Sequence, residues 1–141
     1  MIEFFVPGVP APKGSTKAFI NRRTGRPIIT ADNRDAQKAW QSIVTMTAMS
    51  RIKRPTSDAV RVTALFLMKR PKSLPKYVES HVKKPDLDKL ARCLLDGMTG
   101  VVFNDDSQVV GLDATKRYAV AGEMTGCHVG ISESTVTGEA T

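Results

Sequence analysis

Lys83-Lys84-Pro85-Asp86-Leu87-Asp88-Lys89-Leu90-Ala91-Arg92-Cys93-Leu94-Leu95-Asp96-Gly97-Met98 is the stretch whose reading decides the fold. Leu87, Leu90, Ala91, Leu94, Leu95 and Met98 recur at i, i+3 and i+4, which predicts an amphipathic helix with one buried face. Pro85 suits a position at or just before the first turn. Gly97 and Gly100 are expected to mark the end. Working outward, Val60 to Met68 alternates and is rich in β-branched and large apolar residues, as a mostly buried strand would be. The prolines and basic residues between 70 and 85 show no period and read as a mobile loop. Beyond the helix, Val109 to Val120 and Gly126 to Ile131 read as two strands joined around Ala121-Gly122-Glu123. Residues 132–141 are small and polar and read as a frayed tail, leaving 1–131 as one domain.

The N-terminal third is less regular. Residues 2–6 predict a short buried strand, broken by Pro7-Gly8-Val9-Pro10-Ala11-Pro12. Lys17 to Thr30 suggests a hairpin around Thr24-Gly25. From Asp32 to Met49, residues Ala36, Ala39, Trp40, Ile43, Val44 and Thr47 share one face, so a second amphipathic helix is expected there, capped by Thr30 or Asp32.

The chain of 141 residues suits one domain with its own core. Two cysteines, Cys93 and Cys127, do not make a disulfide framework, and His81 and His128 have no ligand-like spacing, which argues against structural zinc. No signal peptide or membrane-length apolar run is visible, so a cytoplasmic location is expected. The net charge is +7 and unevenly spread. Residues 4–31 contain no acid but carry Lys13, Lys17, Arg22, Arg23 and Arg26. Residues 69–84 carry Lys69, Arg70, Lys72, Lys76, Lys83 and Lys84 against Glu79 alone. Either stretch by itself reads as a solvated surface. Both around one acidic cluster suggest a polyanion partner, nucleic acid first.

That cluster carries the chemistry. Asp86 and Asp88 sit at the mouth of the expected helix, where the dipole favours them. One Asp at such a place is usually an N-cap; two, preceded by Lys-Lys-Pro, need a further reason. Asp105 and Asp106 supply it, in a turn leading into the next strand. The helix between the pairs is about 18 Å long by its rise per residue, so the chain must fold back if they are to meet. A convergent set of carboxylate oxygens matches Mg²⁺ or Mn²⁺ rather than zinc, and such ions suit phosphodiester hydrolysis. No Ser-His-Asp or Cys-His set and no Walker-type loop competes. Asp88, Arg92 and Asp96 follow at steps of four and read as a surface ion-pair ladder. Alternatively, Arg92 serves a phosphate or a metal ligand.

Three segments in order, Lys84-Pro85-Asp86-Leu87-Asp88-Lys89-Leu90, Asp96-Gly97-Met98-Thr99-Gly100 and Asn104-Asp105-Asp106-Ser107-Gln108-Val109-Val110, resemble the RusA family of Holliday junction resolvases. Pro7-Gly8-Val9-Pro10 and Lys13-Gly14 resemble its N-terminal strand and basic loop. The resemblance implies an α+β fold of one domain, a mixed sheet carrying two main helices, and a homodimer that cuts four-way DNA junctions with Mg²⁺, or Mn²⁺ as a substitute. It implies a phage or prophage origin and work in DNA recombination and repair in a bacterial host. Carried over by position, Asp86, Asp88 and Asp106 are the catalytic, metal-binding carboxylates and Asp105 is their neighbour at the metal. Lys13, Lys17, Arg22, Arg23, Lys72, Lys76, Lys83 and Lys84 become DNA-phosphate contacts. Arg92 stands where the family usually has a lysine linked to activity, which keeps the charge but changes its geometry. Lys89 replaces the usual asparagine. Two rival readings remain: a branched-DNA-binding protein with weak or no cleavage, and a less selective flap or single-strand nuclease.

Overall fold

The computed structural model describes residues 1–14, 16–20, 22–31 and 34–134. Strand β1 (Ile2–Pro7) is followed by a two-stranded ribbon, β2 (Thr16–Ile20) and β3 (Pro27–Ala31), and then by helix α1 (Arg34–Arg51). Strand β4 (Ala59–Met68), helix α2 (Leu87–Met98), strand β5 (Val109–Tyr118) and strand β6 (Gly126–Ser134) complete the chain. The main sheet has the order β1-β6-β4-β5. It is mixed: β6 is antiparallel to both β1 and β4, whereas β4 and β5 are parallel. The expected α+β architecture of one mixed sheet with two helices is therefore observed.

Alternation on β4 produces the two-layer arrangement. Val60, Val62, Ala64, Phe66 and Met68 face the core, while Arg61 and Thr63 are exposed on the opposite face. The core side receives Trp40, Val44 and Ala48 from α1 and Leu90, Cys93, Leu94 and Met98 from α2. Burial among these side chains raises the Cys93 thiol to about 11, with nearby Asp96 adding to the effect; burial alone takes Cys127 to about 12. Both cysteines are inert packing residues in this setting.

Several expectations are corrected. Gly97 is not past the end of α2 but is its penultimate residue, where its missing side chain lets α1 approach. A Cβ there would stand 2.8 Å from Val44 Cγ1 and 3.3 Å from the Gln41 carbonyl oxygen. Thr45 Oγ1 spans the same contact, donating to the Gly97 carbonyl at 2.7 Å. Ala36 and Ala39 are exposed rather than buried, because the first turns of α1 overhang a cavity instead of the sheet. Thr30 belongs to β3 rather than to the start of α1, while Asp32 lies outside the described residues. β5 and β6 both form as expected, and β4 lies between them in the sheet. β6 also continues to Ser134, in register with β4, so residues 132–134 are strand rather than tail; 135–141 lie outside the described residues.

The connection between β4 and α2 is anchored rather than loose. Arg70 donates to the carbonyl oxygens of Ala119, Pro75 and Val78 at 2.9, 3.0 and 2.6 Å. Its guanidinium also lies 5.7 Å from the Tyr118 ring centroid. Leu74 and Val78 pack against the core. At the far end of β5, Arg117 and Glu123 form a two-point ion pair at 2.7 and 2.9 Å, and this pair holds the Glu123 carboxyl down at about 2.

The α1–α2 contact yields a prediction. Gly97→Ala should destabilise the fold by about 1–3 kcal/mol through overpacking, despite the better helix propensity of alanine. Val44→Ala in the same chain should reopen the space, so the double variant loses clearly less than the sum of the singles in denaturant unfolding. Additive losses would show that the contact is not tight.

Candidate active site

The direction of α2 governs where the acidic pairs lie. β4 and β5 are parallel, so the chain leaving the end of β4 must return to the start of β5. Helix α2 makes that return. Its N-terminal end is tied to the late part of β5, where Lys116 Nζ donates to the carbonyl oxygens of Lys83 and Pro85, both at 2.7 Å. Its C-terminal end is tied to the turn before β5: Gly100 N donates to the Phe103 carbonyl at 2.7 Å. Asp86 and Asp88 therefore lie at one end of the helix, and Asp105 and Asp106 at the other. The helix between them is about 18 Å long by its rise per residue. Among the described residues, no three His, Cys, Asp or Glu side chains gather closely enough to hold a metal ion. The carboxylate oxygens suit a hard cation, but those of one chain do not close around it.

Each pair is nonetheless built with care. Asp86 occupies the N-cap position of α2 with extended backbone, φ −69° and ψ 141°, yet its side chain makes no capping hydrogen bond. Only its carbonyl is used, accepting from Leu90 N at 3.1 Å. Capping therefore does not explain Asp86, and its carboxylate is left for another partner. Asp86 and Asp88 are both exposed. The preceding Lys84–Pro85 peptide is cis. The N-terminal loop braces the same helix end: Lys13 N donates to the Lys89 carbonyl at 2.9 Å, and Gly14 N to Gln37 Oε1 of α1 at 2.6 Å.

At the other end, a short 3-10 turn, Asp106–Gln108, leads into β5. Gln108 holds it from inside. Its Oε1 accepts from the backbone N–H groups of Asn104 and Asp105 at 2.8 and 2.9 Å; its Nε2 donates to the carbonyls of Thr56 and Asp58, both at 2.9 Å. Asp105 accepts from the Ser107 hydroxyl at 2.8 Å, and that bond is the main cause of its lowered pKa. Asp106 is exposed at the start of the turn.

The other expected residues divide. The ladder of Asp88, Arg92 and Asp96 does not form: Asp96 pairs with Lys13 at 2.5 Å, a contact that raises the Lys13 pKa, chiefly through the hydrogen bond. Among the described residues no ion pair involves Arg92, which is exposed on α2. Lys13 is thus already partnered by a carboxylate. Arg22 and Arg23 are exposed at the tip of the β2–β3 ribbon, and Lys72, Lys76, Lys83 and Lys84 are exposed along the β4–α2 connection. Lys17 lies on β2, and its side chain is outside the described set. Sequence reasoning missed Lys116 and Gln108 as positioning residues. Lys116 acts on backbone carbonyls, which leave no mark in a sequence pattern, whereas the signal for Gln108 is its place in the segment Asn104 to Val110.

Lys116→Met removes both tethers at the mouth of α2 while retaining the side chain's apolar length. Amide exchange at Leu90, the first residue bonded to Asp86, should then accelerate by about tenfold, with the β4 amides unchanged. Unaltered exchange at Leu90 would mean that Lys116 does not hold this helix end.

Comparisons with known proteins bear on what these residues serve. The comparison with curated proteins found no match to the chain. The family model described as endodeoxyribonuclease RusA matches residues 7–130, which takes in the last residue of β1, both helices, both acidic pairs and the first half of β6. The chain belongs to the RusA endodeoxyribonuclease family.

Proposed function

We propose that this endodeoxyribonuclease resolves four-way DNA junctions as a homodimer, with Mg²⁺ or Mn²⁺ held by carboxylates drawn from two copies. The observation that carries this reading is the placement of Asp86 and Asp88 at one end of α2 and Asp106 at the other. A two-fold axis that sets two such elements antiparallel brings the first pair of one copy to the second pair of the other. β5 offers the means. It is an edge strand, and among the described residues Glu79 and Ser80 meet its open side at Tyr118 and Arg117, near its end. Val110 and Leu112 are exposed along it, at 55% and 46%. Such an edge is a template for strand pairing, and its two ends lie beside the two acidic pairs.

In this reading Asp86, Asp88 and Asp106 are the ligands and Asp105, already bonded to Ser107, stands beside them. The ion, when bound, supplies charge neutralisation at the phosphate and a more acidic water. Lys116 and Gln108 hold the two helix-end segments at which the ligands sit. Arg92, one turn after Asp88 and unpaired among the described residues, is available to developing negative charge. Arg22, Arg23, Lys72, Lys76, Lys83 and Lys84 contact phosphates, which gives binding a steep salt dependence. Two sites related by a two-fold axis suit symmetric cuts in a junction, and the work belongs to DNA recombination and repair in a bacterial cytoplasm.

Asp88→Asn should lower Mg²⁺-dependent cleavage of a synthetic four-way junction by more than about 100-fold, since a lost ligand outweighs the loss typical of a group outside it. Junction binding in EDTA should persist. Undiminished cleavage by the variant sinks the ligand assignment. Equal cutting of junction, flap and duplex by the unaltered protein sinks the junction preference.

A further inference from the structure

A cavity of about 600 Å³ opens beside Asp86, between the N-terminal loop, the first turns of α1 and the mouth of α2. Its size lies within the range of sites that take small organic groups. Its walls are apolar and rigid: Pro10, Pro12, Ala36, Ala39 and Pro85 contribute, with Trp40. The prolines present flat hydrocarbon faces, and the two alanines leave the α1 side open. Trp40 is 1% exposed, and its indole Nε1 has no hydrogen-bond partner among the described residues. The edge of the indole away from Nε1 lies against Gly8, where a Cβ would stand 3.6 Å from Cε3 and Cζ3. Lys84, Lys89 and the ion-paired Lys13 also contribute to the lining, so the cavity is apolar within a cationic setting.

We propose that this cavity receives one unstacked nucleobase of the strand being cut. The proposal rests on the DNA-cleavage reading above and adds where the nucleotide next to the reacting phosphate goes. A nucleotide joins the two chemistries on display, a flat apolar ring edged with acceptors and a flanking phosphate for the lysines. An apolar peptide would leave the lysines unexplained. Asp86 belongs both to this lining and to the proposed ligand set, so a base seated here brings its own backbone to the acidic pair. Bases at a branch point are the least costly to unstack, which gives the cavity a part in selecting branched over continuous duplex.

Ala39 and Ala36 are exposed positions on α1 at which a leucine fills the cavity without entering the core. The test uses four-way junctions in EDTA, each carrying 2-aminopurine at one nucleotide flanking the branch point. At one such nucleotide the unaltered protein should change the fluorescence by about twofold or more on saturation. Ala39→Leu, and independently Ala36→Leu, should abolish that change and weaken junction binding by about tenfold, the loss of one base contact. No change at any nucleotide, or a change that survives both variants, overturns the proposal. Cleavage in Mg²⁺ is read in parallel. A fluorescence change without cleavage keeps the cavity assignment and removes the nuclease chemistry; cleavage without the change does the reverse.

Discussion

The parallel pairing of β4 with β5 is the constraint on which the rest depends. Parallel neighbours cannot be joined by a tight turn, so the chain must travel back along the sheet between them. Here α2 makes that journey, pressed on the core by Leu90, Cys93, Leu94 and Met98. Everything with chemical potential gathers at the two ends of the return path. One end carries Asp86 and Asp88, with Lys116 gripping the carbonyls just before them. The other carries Asp105 and Asp106, in a turn that Gln108 stitches to the chain entering β4. The sheet thus sets the carboxylate pairs apart, and among the described residues no three acidic side chains of one chain gather closely enough to hold an ion.

Much of this was legible in the residues. The i, i+3, i+4 repeat from Leu87 to Met98 located α2, and the alternation from Val60 to Met68 located β4, because burial imposes those periods directly. The order of the acidic motifs pointed to the family that the comparison supports. The misreadings have physical causes. A glycine near a helix end and a glycine at a helix crossing look alike in sequence; only the position of Val44 distinguishes them. Ala36 and Ala39 keep the helical period of a buried face, yet small apolar residues serve equally as the wall of an open cavity. Asp96 follows Arg92 at a helical step of four, but a lysine 83 positions away in sequence takes it. Whether the two acidic pairs meet was not legible at all, since it depends on strand direction, which no local pattern encodes.

The same frame relates catalysis to recognition. The segment that Lys116 steadies carries Asp86, and Asp86 also lines the apolar cavity beneath the N-terminal loop. Backbone bonds from Lys13 to Lys89 and from Gly14 to Gln37 brace that loop against both helices. Sites set on helix ends and held from behind in this way keep their geometry better than sites on loops alone. In the proposed function, the exposed cations of the β2–β3 ribbon and the β4–α2 connection serve the sequence-independent attraction to DNA phosphates.

The central claim is that the carboxylate set closes between copies, and subunit mixing tests it most directly. Asp88→Asn and Asp106→Asn chains, each inactive alone, are co-expressed so that they assemble at random and are assayed on a four-way junction with Mg²⁺. If the set is shared, each mixed dimer holds one doubly altered site and one intact site, and about a quarter of the wild-type sites return across the population. Cleavage that stays as low in the mixture as in either variant alone contradicts the account, because it would place all the ligands of a site within a single chain.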